Sequence, residues 1–219
     1  MFWIFKSSNI DRFISSLTEE EFCYRYSRLV GYFNNEDIKK LWGRGNYKKY
    51  KNYFLSRSNE ICGPFKDSSN LIRAFLLETE GFLSHNLIVA DKSSMAESIE
   101  LRVPFVNPDI FITNFKELLN GNGDLIMNKY PLKKYLEQHI PKNFIYRKKQ
   151  GFNPPLKHKI TSLGERELTK IFDNGSTYKY LSSKAIKILI KEHFNDIKDN
   201  SLKLWQLLYF NFWLEEFIS

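Results

Sequence analysis

Apolar positions recur along most of this chain at three- and four-residue spacing, the period of a helix with one buried face. Leu71, Ile72, Phe75, Leu76 and Leu83 fall on one stripe, with Asn70 placed to cap it. A second helix is expected from Asn86 to about Glu97. Pro104 and Pro108 then break the pattern, with an extended or turning segment between them. The loop NGNGD, residues 120–124, ends one unit and opens another. After it Leu132, Tyr135, Leu136 and Ile140 keep helical spacing until Pro141, and Pro131 is tolerable only in the first turn. Further helices are expected over residues 183–194 and 201–217. The last is apolar nearly all round (Leu204, Trp205, Leu207, Leu208, Phe210, Phe212, Trp213), so it should be buried or clamped against another surface. Near the start, FKSSNIDRFISSL and EEEFCYRYSRLVGYF read as two helical pieces, and the basic, aromatic LWGRGNYKKYKNYFLSRS as loop plus helix. No internal repeat and no run of alternating strands is found, so the expected class is mainly α.

Composition narrows the picture. The chain of 219 residues is 42% hydrophobic and 16% aromatic, enough for a sizeable core and against a disordered chain. That length suits one domain, residues 1–219. No run of about 18 apolar residues occurs, so no membrane span is expected. The opening MFWIF is too short for a signal peptide. Two cysteines, Cys23 and Cys62, without a CxxC pair suit a reducing cytoplasm and argue against a disulfide scaffold. Lysine and arginine outnumber aspartate and glutamate 33 to 25, a formal charge of +8. Such a surface attracts nucleic acid, acidic membranes or phosphate-bearing ligands, or simply keeps the protein soluble. The four histidines, His85, His139, His158 and His193, show no metal-ligand spacing, and no metal ligands are assigned.

The segment DKSSMAESIELRVPFVN, residues 91–107, resembles the D-R-x-S-M-A-x-S-x-E-x-R-x-P-F-L-D signature of the asparagine synthetase family. Asp91, Ser94, Met95, Ala96, Ser98, Glu100, Arg102, Pro104 and Phe105 match. NKYPLKKYLEQHIP and RKKQGFNPPL resemble two later blocks through Lys129, Leu132, Lys133, Pro141, Arg147, Lys149, Gly151, Phe152 and Pro155. KEHF and LWQLLYFNFW are similar to that family's ending. The resemblance implies the helical C-terminal half of an ATP-pyrophosphatase-type α/β synthetase domain, with the sheet and the ATP loop missing. It also implies ATP and Mg²⁺ as cofactors, a carboxylate adenylated and then aminated, and a glutaminase supplying ammonia.

The resemblance makes Lys129 the candidate catalytic residue, its ammonium directed at ATP phosphates. Its place after a Gly-containing loop and at a helix start agrees with that, since anions are favoured at a helix N-terminus. The alternative is a solvated lysine in a lysine-rich chain. Glu100 and Arg102 read first as a structural, buried or half-buried ion pair buttressing the site. Arg147 and Lys149 either support the phosphate side or belong to a solvated basic loop. Gly151 suits a turn that a side chain would hinder.

Departures from the family pattern are as informative. The family's phosphate loop S-G-G-x-D-S has no counterpart, for the sequence holds no Gly-Gly pair, and position 2 is Phe2 where the glutaminase needs cysteine. ATP and Mg²⁺ are therefore not expected to bind well to this chain alone. Within the signature, Lys92 stands for arginine and Asn107 for aspartate, and the stretch before it has His85 and Val89 at usually charged positions. Losing a carboxylate removes a charge that could hold Mg²⁺, and lysine lacks arginine's fork. Three readings are open. The chain is one piece, truncated or split, of an amidotransferase whose partner carries the ATP loop. Or it is a helical binding or scaffold protein that keeps the shape without the chemistry. Or it binds nucleic acid through residues 42–57 and 142–159, the weakest reading because no recognised module is present. Self-association is expected if an apolar face is left uncovered.

Overall fold

A computed structural model describes residues 13–14, 16–17, 21–122, 129–148 and 154–218. Among them no strand occurs, and the chain is mainly α, as the spacing of apolar residues predicts. The helices are α1 Phe22–Val30, α2 Asn35–Trp42, α3 Arg44–Cys62, α4 Asn70–Glu78, α5 Ser84–Met95 and α6 Pro108–Leu119. After them come α7 Tyr130–Leu136, α8 Lys142–Ile145, α9 Leu156–Leu163, α10 Glu165–Asn174, α11 Ser183–Phe194 and α12 Ser201–Phe217. Among the described residues no helix is long and apolar enough to cross a membrane. The backbone divides into two compact units, residues 1–56 with 152–219, and residues 57–151.

The first unit holds most of the buried apolar side chains. Ile160 of α9, Leu168 and Phe172 of α10, Ile186, Leu189 and Ile190 of α11, and Leu204, Leu207 and Leu208 of α12 form its core. Leu41 of α2 joins them although it lies far away in sequence. A main-chain bond holds it there: Ser182 N–H donates to the Leu41 carbonyl at 2.8 Å, while the Ser182 side chain caps α11 through Ala185 N–H. The expectation for α12 is met on one side. Leu204, Leu207, Leu208 and Leu214 are buried, but Trp205, Tyr209, Phe212, Trp213 and Phe217 stand exposed on the other side.

The tyrosines of α3 answer a separate question. The stretch read as loop plus helix is a helix from Arg44, following Gly43 at φ +83°. Tyr47 and Tyr50 turn inward: the hydroxyl of buried Tyr24 lies 3.1 Å from that of Tyr47 and 3.2 Å from Asn35 Oδ1. Buried Arg28 donates to the Tyr50 hydroxyl at 3.2 Å, and Phe54 packs edge-on against Tyr24. These rings satisfy a buried arginine and tyrosine, whereas Tyr53 stays exposed.

The second unit packs α4 against α6 through phenylalanines. Phe75 lies 5.4 Å from Phe111 and 5.9 Å from Phe115, and Phe65 meets Phe115 edge-on at 5.3 Å. Ile72 and Leu118 are buried beside them in sequence, with Cys62 donating its thiol toward the Arg73 carbonyl. Two expectations change here. Ser69, not Asn70, caps α4, accepting from Ile72 N–H. And α4 runs on into α5 through a π-turn, Thr79–Leu83, so the second helix starts at Ser84 rather than Asn86 and ends at Met95. The extra residue in that turn is what shifts the apolar stripe after Leu76.

Candidate functional site

The signature segment lies in the second unit. Helix α5 ends in a Schellman motif: Ser98 N–H donates to the Met95 carbonyl at 2.9 Å and Ile99 N–H to Ser94 at 3.0 Å. The residue in the left-handed position is Ser98, at φ +58°, where glycine is usual. Ser94 Oγ donates to the Asp91 carbonyl one turn back. Beyond the cap the chain runs from Ile99 to Val103 without helix, turn or bend. It then turns over Pro104, with Val106 N–H donating to the Val103 carbonyl at 3.0 Å.

Glu100 and Arg102 pair as expected, Nε at 3.0 Å and Nη2 at 2.9 Å from Glu100 Oε1. The expected burial is not found: the two side chains are 69% and 81% exposed. Every residue from Met95 to Ile110 is exposed, so no low-dielectric wall surrounds the pair. Asn107, which replaces the family's aspartate, has a local task. It caps α6, accepting from Asp109 N–H at 2.8 Å, a role an amide and a carboxylate fill about equally.

Lys129 immediately precedes α7, in the left-handed conformation at φ +59°. Its side chain is exposed and, among the described residues, makes no ion pair or hydrogen bond. Pro131 lies in the first turn, as predicted. Sequence reasoning missed Glu137, the residue that ties the end of α7 to α8 and Tyr146. Its carboxylate accepts from the Tyr146 hydroxyl at 2.6 Å and from Lys134 Nζ at 3.2 Å, with Lys142 Nζ at 3.5 Å. The Tyr146 hydrogen bond, then that of Lys134, holds the Glu137 carboxyl below its ordinary value, and the same bond pushes the Tyr146 phenol up. Lys133 Nζ sits 5.6 Å over the Tyr146 ring. The clamp fixes the chain just before Arg147, which is exposed. Lys149 and Gly151 lie outside the described residues. Among the described residues no hydrogen bond or ion pair joins the Glu100–Arg102 pair to Lys129 or Arg147.

These residues fit the implied cofactors only in part. The Lys129 ammonium, unpartnered among the described residues, suits one phosphate charge. An amide cradle is not formed by α7: the helix is seven residues long and Pro131 removes one N–H from its first turn. Among the described residues no group of three or more His, Cys, Asp or Glu is placed to hold a metal ion. In the first unit a groove of about 310 Å³ runs between α2 and α11, with Leu41, Ile188 and Leu189 inside and Lys40, Lys184 and Glu192 at its edges. It contains none of the residues singled out from the sequence.

Comparison with known proteins places these blocks in one framework. The asparagine synthase family model matches residues 7–215, across both units, and the chain belongs to that family. It is 35% identical over 130 residues to the glutamine-hydrolysing asparagine synthetase 1 of Bacillus subtilis (strain 168), covering 58% of this chain and 20% of that protein. It is 29% identical over 143 residues to the putatively assigned glutamine-hydrolysing asparagine synthetase of Mycobacterium tuberculosis (H37Rv), covering 61% of this chain and 21% of that one. The matched stretch thus spans about one-fifth of these curated relatives. No solved structure matches the chain.

Proposed function

We propose that this chain forms the helical part of an ATP-dependent carbon–nitrogen ligase of asparagine-synthetase type, which adenylates a carboxylate and then aminates it. The phosphate loop in this reading comes from an S-G-G-x-D-S segment that the 219 residues do not include. The observation that carries the proposal is the family match over residues 7–215 together with Lys129, whose ammonium is exposed and unpartnered among the described residues. ATP supplies the leaving pyrophosphate when bound. Lys129 contributes positive charge on the phosphate side, and Arg147 follows directly on the Glu137–Tyr146 clamp. Such charge is most effective where water is excluded, and that needs a second surface over the exposed Lys129.

The test is reconstitution. The full chain is mixed with a protein bearing the S-G-G-x-D-S loop, and aspartate-dependent pyrophosphate release from ATP and Mg²⁺ is followed. Release by the mixture but by neither protein alone is expected. Release by the lone chain would overturn the division of labour. No release from a complex that forms would favour the second reading, a non-catalytic binding protein, for which Lys92, Asn107 and the self-satisfied Glu100–Arg102 pair speak.

A further inference from the structure

The run Ile99–Val103 has the properties of an unpaired edge strand. It carries no helix, turn or bend. Pro104 holds Val103 away from helical geometry. Glu100 and Arg102 bond to each other across one intervening residue, so both project to the same side, the period-2 alternation of an extended chain. Ile99, Leu101 and Val103 fall on the other side and are 61%, 47% and 41% exposed. Among the described residues the main-chain groups of Glu100, Leu101 and Arg102 make no backbone hydrogen bond. Open N–H and C=O groups flanked by alternating apolar side chains are a template for adding a strand.

The sequence of the run says which strand fits. Read about Leu101 it is self-complementary: I-E-L-R-V. In an antiparallel pair centred on Leu101, each Ile99 faces the Val103 of the other copy, and the two Leu101 residues face each other. On the opposite side each Glu100 faces an Arg102, twice over. We propose that residues 99–103 pair antiparallel with the same residues of a second copy of this chain, forming a two-fold dimer about Leu101. A two-fold contact requires a patch that complements itself, and this one does so in polarity and charge together. Two short strands bury little surface, so the dimer is weak and concentration-dependent.

The experiment uses the full chain and does not involve ATP chemistry, so its outcome is separate from the ligase reading. Sedimentation equilibrium over a wide concentration range is expected to show a reversible monomer–dimer equilibrium. Leu101→Arg, at an exposed position, should leave a folded monomer by circular dichroism. Glu100→Arg turns both cross-strand pairs into like charges and should weaken the dimer roughly tenfold. Glu100→Arg combined with Arg102→Glu restores opposite charges and should restore the dimer, which loss of folding would not do. Leu101→Cys should give an interchain disulfide under mild oxidation, whereas Leu119→Cys, exposed elsewhere in the same unit, should not; Cys23 and Cys62 are buried. A strict monomer overturns the proposal. So does a dimer that survives Leu101→Arg, which would place the contact on another surface such as the aromatic side of α12.

Discussion

Lys203 Nζ donates to Asp37 Oδ2 at 2.6 Å, joining α12 to α2 across 166 residues of chain. The two side chains are only 11% and 16% exposed. The same Asp37 oxygen accepts from Asn34 N–H at 3.2 Å and so completes the capping box of α2. Removing Asp37 therefore leaves a nearly buried ammonium alone and uncaps a helix, whereas removing the lysine leaves the carboxylate one remaining partner. Asp37→Ala is expected to cost about 3 kcal/mol of stability, and Lys203→Met markedly less, because methionine fills the space without a charge to desolvate. Urea denaturation of both variants measures this; equal losses would show that the pair is not the dominant contact.

Gly175 stands against the side chain of Asn211. A Cβ at position 175 would come within 2.2 Å of Asn211 Oδ1. Asn211 is fully buried and cannot swing away without breaking its bonds: it accepts from Thr177 N–H and Oγ1 and donates to Glu215 at 2.7 Å. Gly175→Ala should cost about 2 kcal/mol through overpacking and lost hydrogen bonds. Gly45→Ala, at a helical position with open space around it, should be neutral or stabilising. Thermal melting of the two alanine variants makes the comparison.

His193 gives the chain an acid sensitivity with a definite sign. It is buried, its Nδ1 has no hydrogen-bond partner among the described residues and stands 3.7 Å from Asp199 Oδ1, and Nε2 lies 3.4 Å from Thr161 Oγ1. Burial holds its pKa below the ordinary value, with Asp199 and Asp196 pulling it up and Lys157 pushing it down. The unfolded chain takes up this proton near pH 6.5, before the folded chain does. Between those two values the unfolded state binds more protons, so stability falls as pH drops below about 6.5. Replacing His193 by glutamine should flatten the stability profile in that window, whatever its effect on stability at neutral pH. Denaturation midpoints at a series of pH values test this. Burial pushes the Asp199 carboxyl up, but the hydrogen bonds from Ser201 together with the charges of His193 and Lys157 bring it below its ordinary value, so it acts only at more acidic pH.

Lys129 and Lys133 lie one turn apart but in different settings. Lys133 is engaged with the Tyr146 ring, whereas Lys129 makes no ion pair or hydrogen bond among the described residues. In the reconstituted ligase, Lys129→Ala is expected to lower kcat roughly a hundredfold with little change in KM for aspartate, as loss of an interaction made mainly in the transition state does. Lys133→Ala should cost much less. Equal losses in steady-state kinetics would reduce Lys129 to one part of a general positive field.

What the sequence could reveal depended on how far apart the interacting residues lie. The limits of α11 and α12 were readable because capping and apolar spacing are local. The π-turn was not: one added residue leaves each flanking helix looking ordinary and only shifts the stripe between them. Tyr47, Tyr50 and Phe54 invited a surface reading because their partners, Tyr24 and Arg28, lie some twenty residues away. Lys203 and Asp37 were invisible for the same reason on a larger scale. In the candidate site, the blocks carrying Glu100, Arg102, Lys129 and Arg147 were legible by resemblance, and the pairing of Glu100 with Arg102 was foreseen. Their exposure was not, since a spacing of two fixes the side of the chain and not what lies beyond it. Glu137 went unnoticed because it falls at none of the positions that carry the resemblance and acts through a tyrosine nine residues on.

The straight, open run from Ile99 to Val103 also makes this chain vulnerable at one place. Digestive proteases take their substrates as extended backbone with free hydrogen-bonding groups, and most folded proteins offer such backbone only after local opening. Here Arg102 presents it ready-made, followed by Val103 and not by a proline. Brief exposure of the dilute, monomeric chain to trypsin should therefore cut first between Arg102 and Val103, ahead of the many lysines held in helices, and split the family's most recognisable stretch in two.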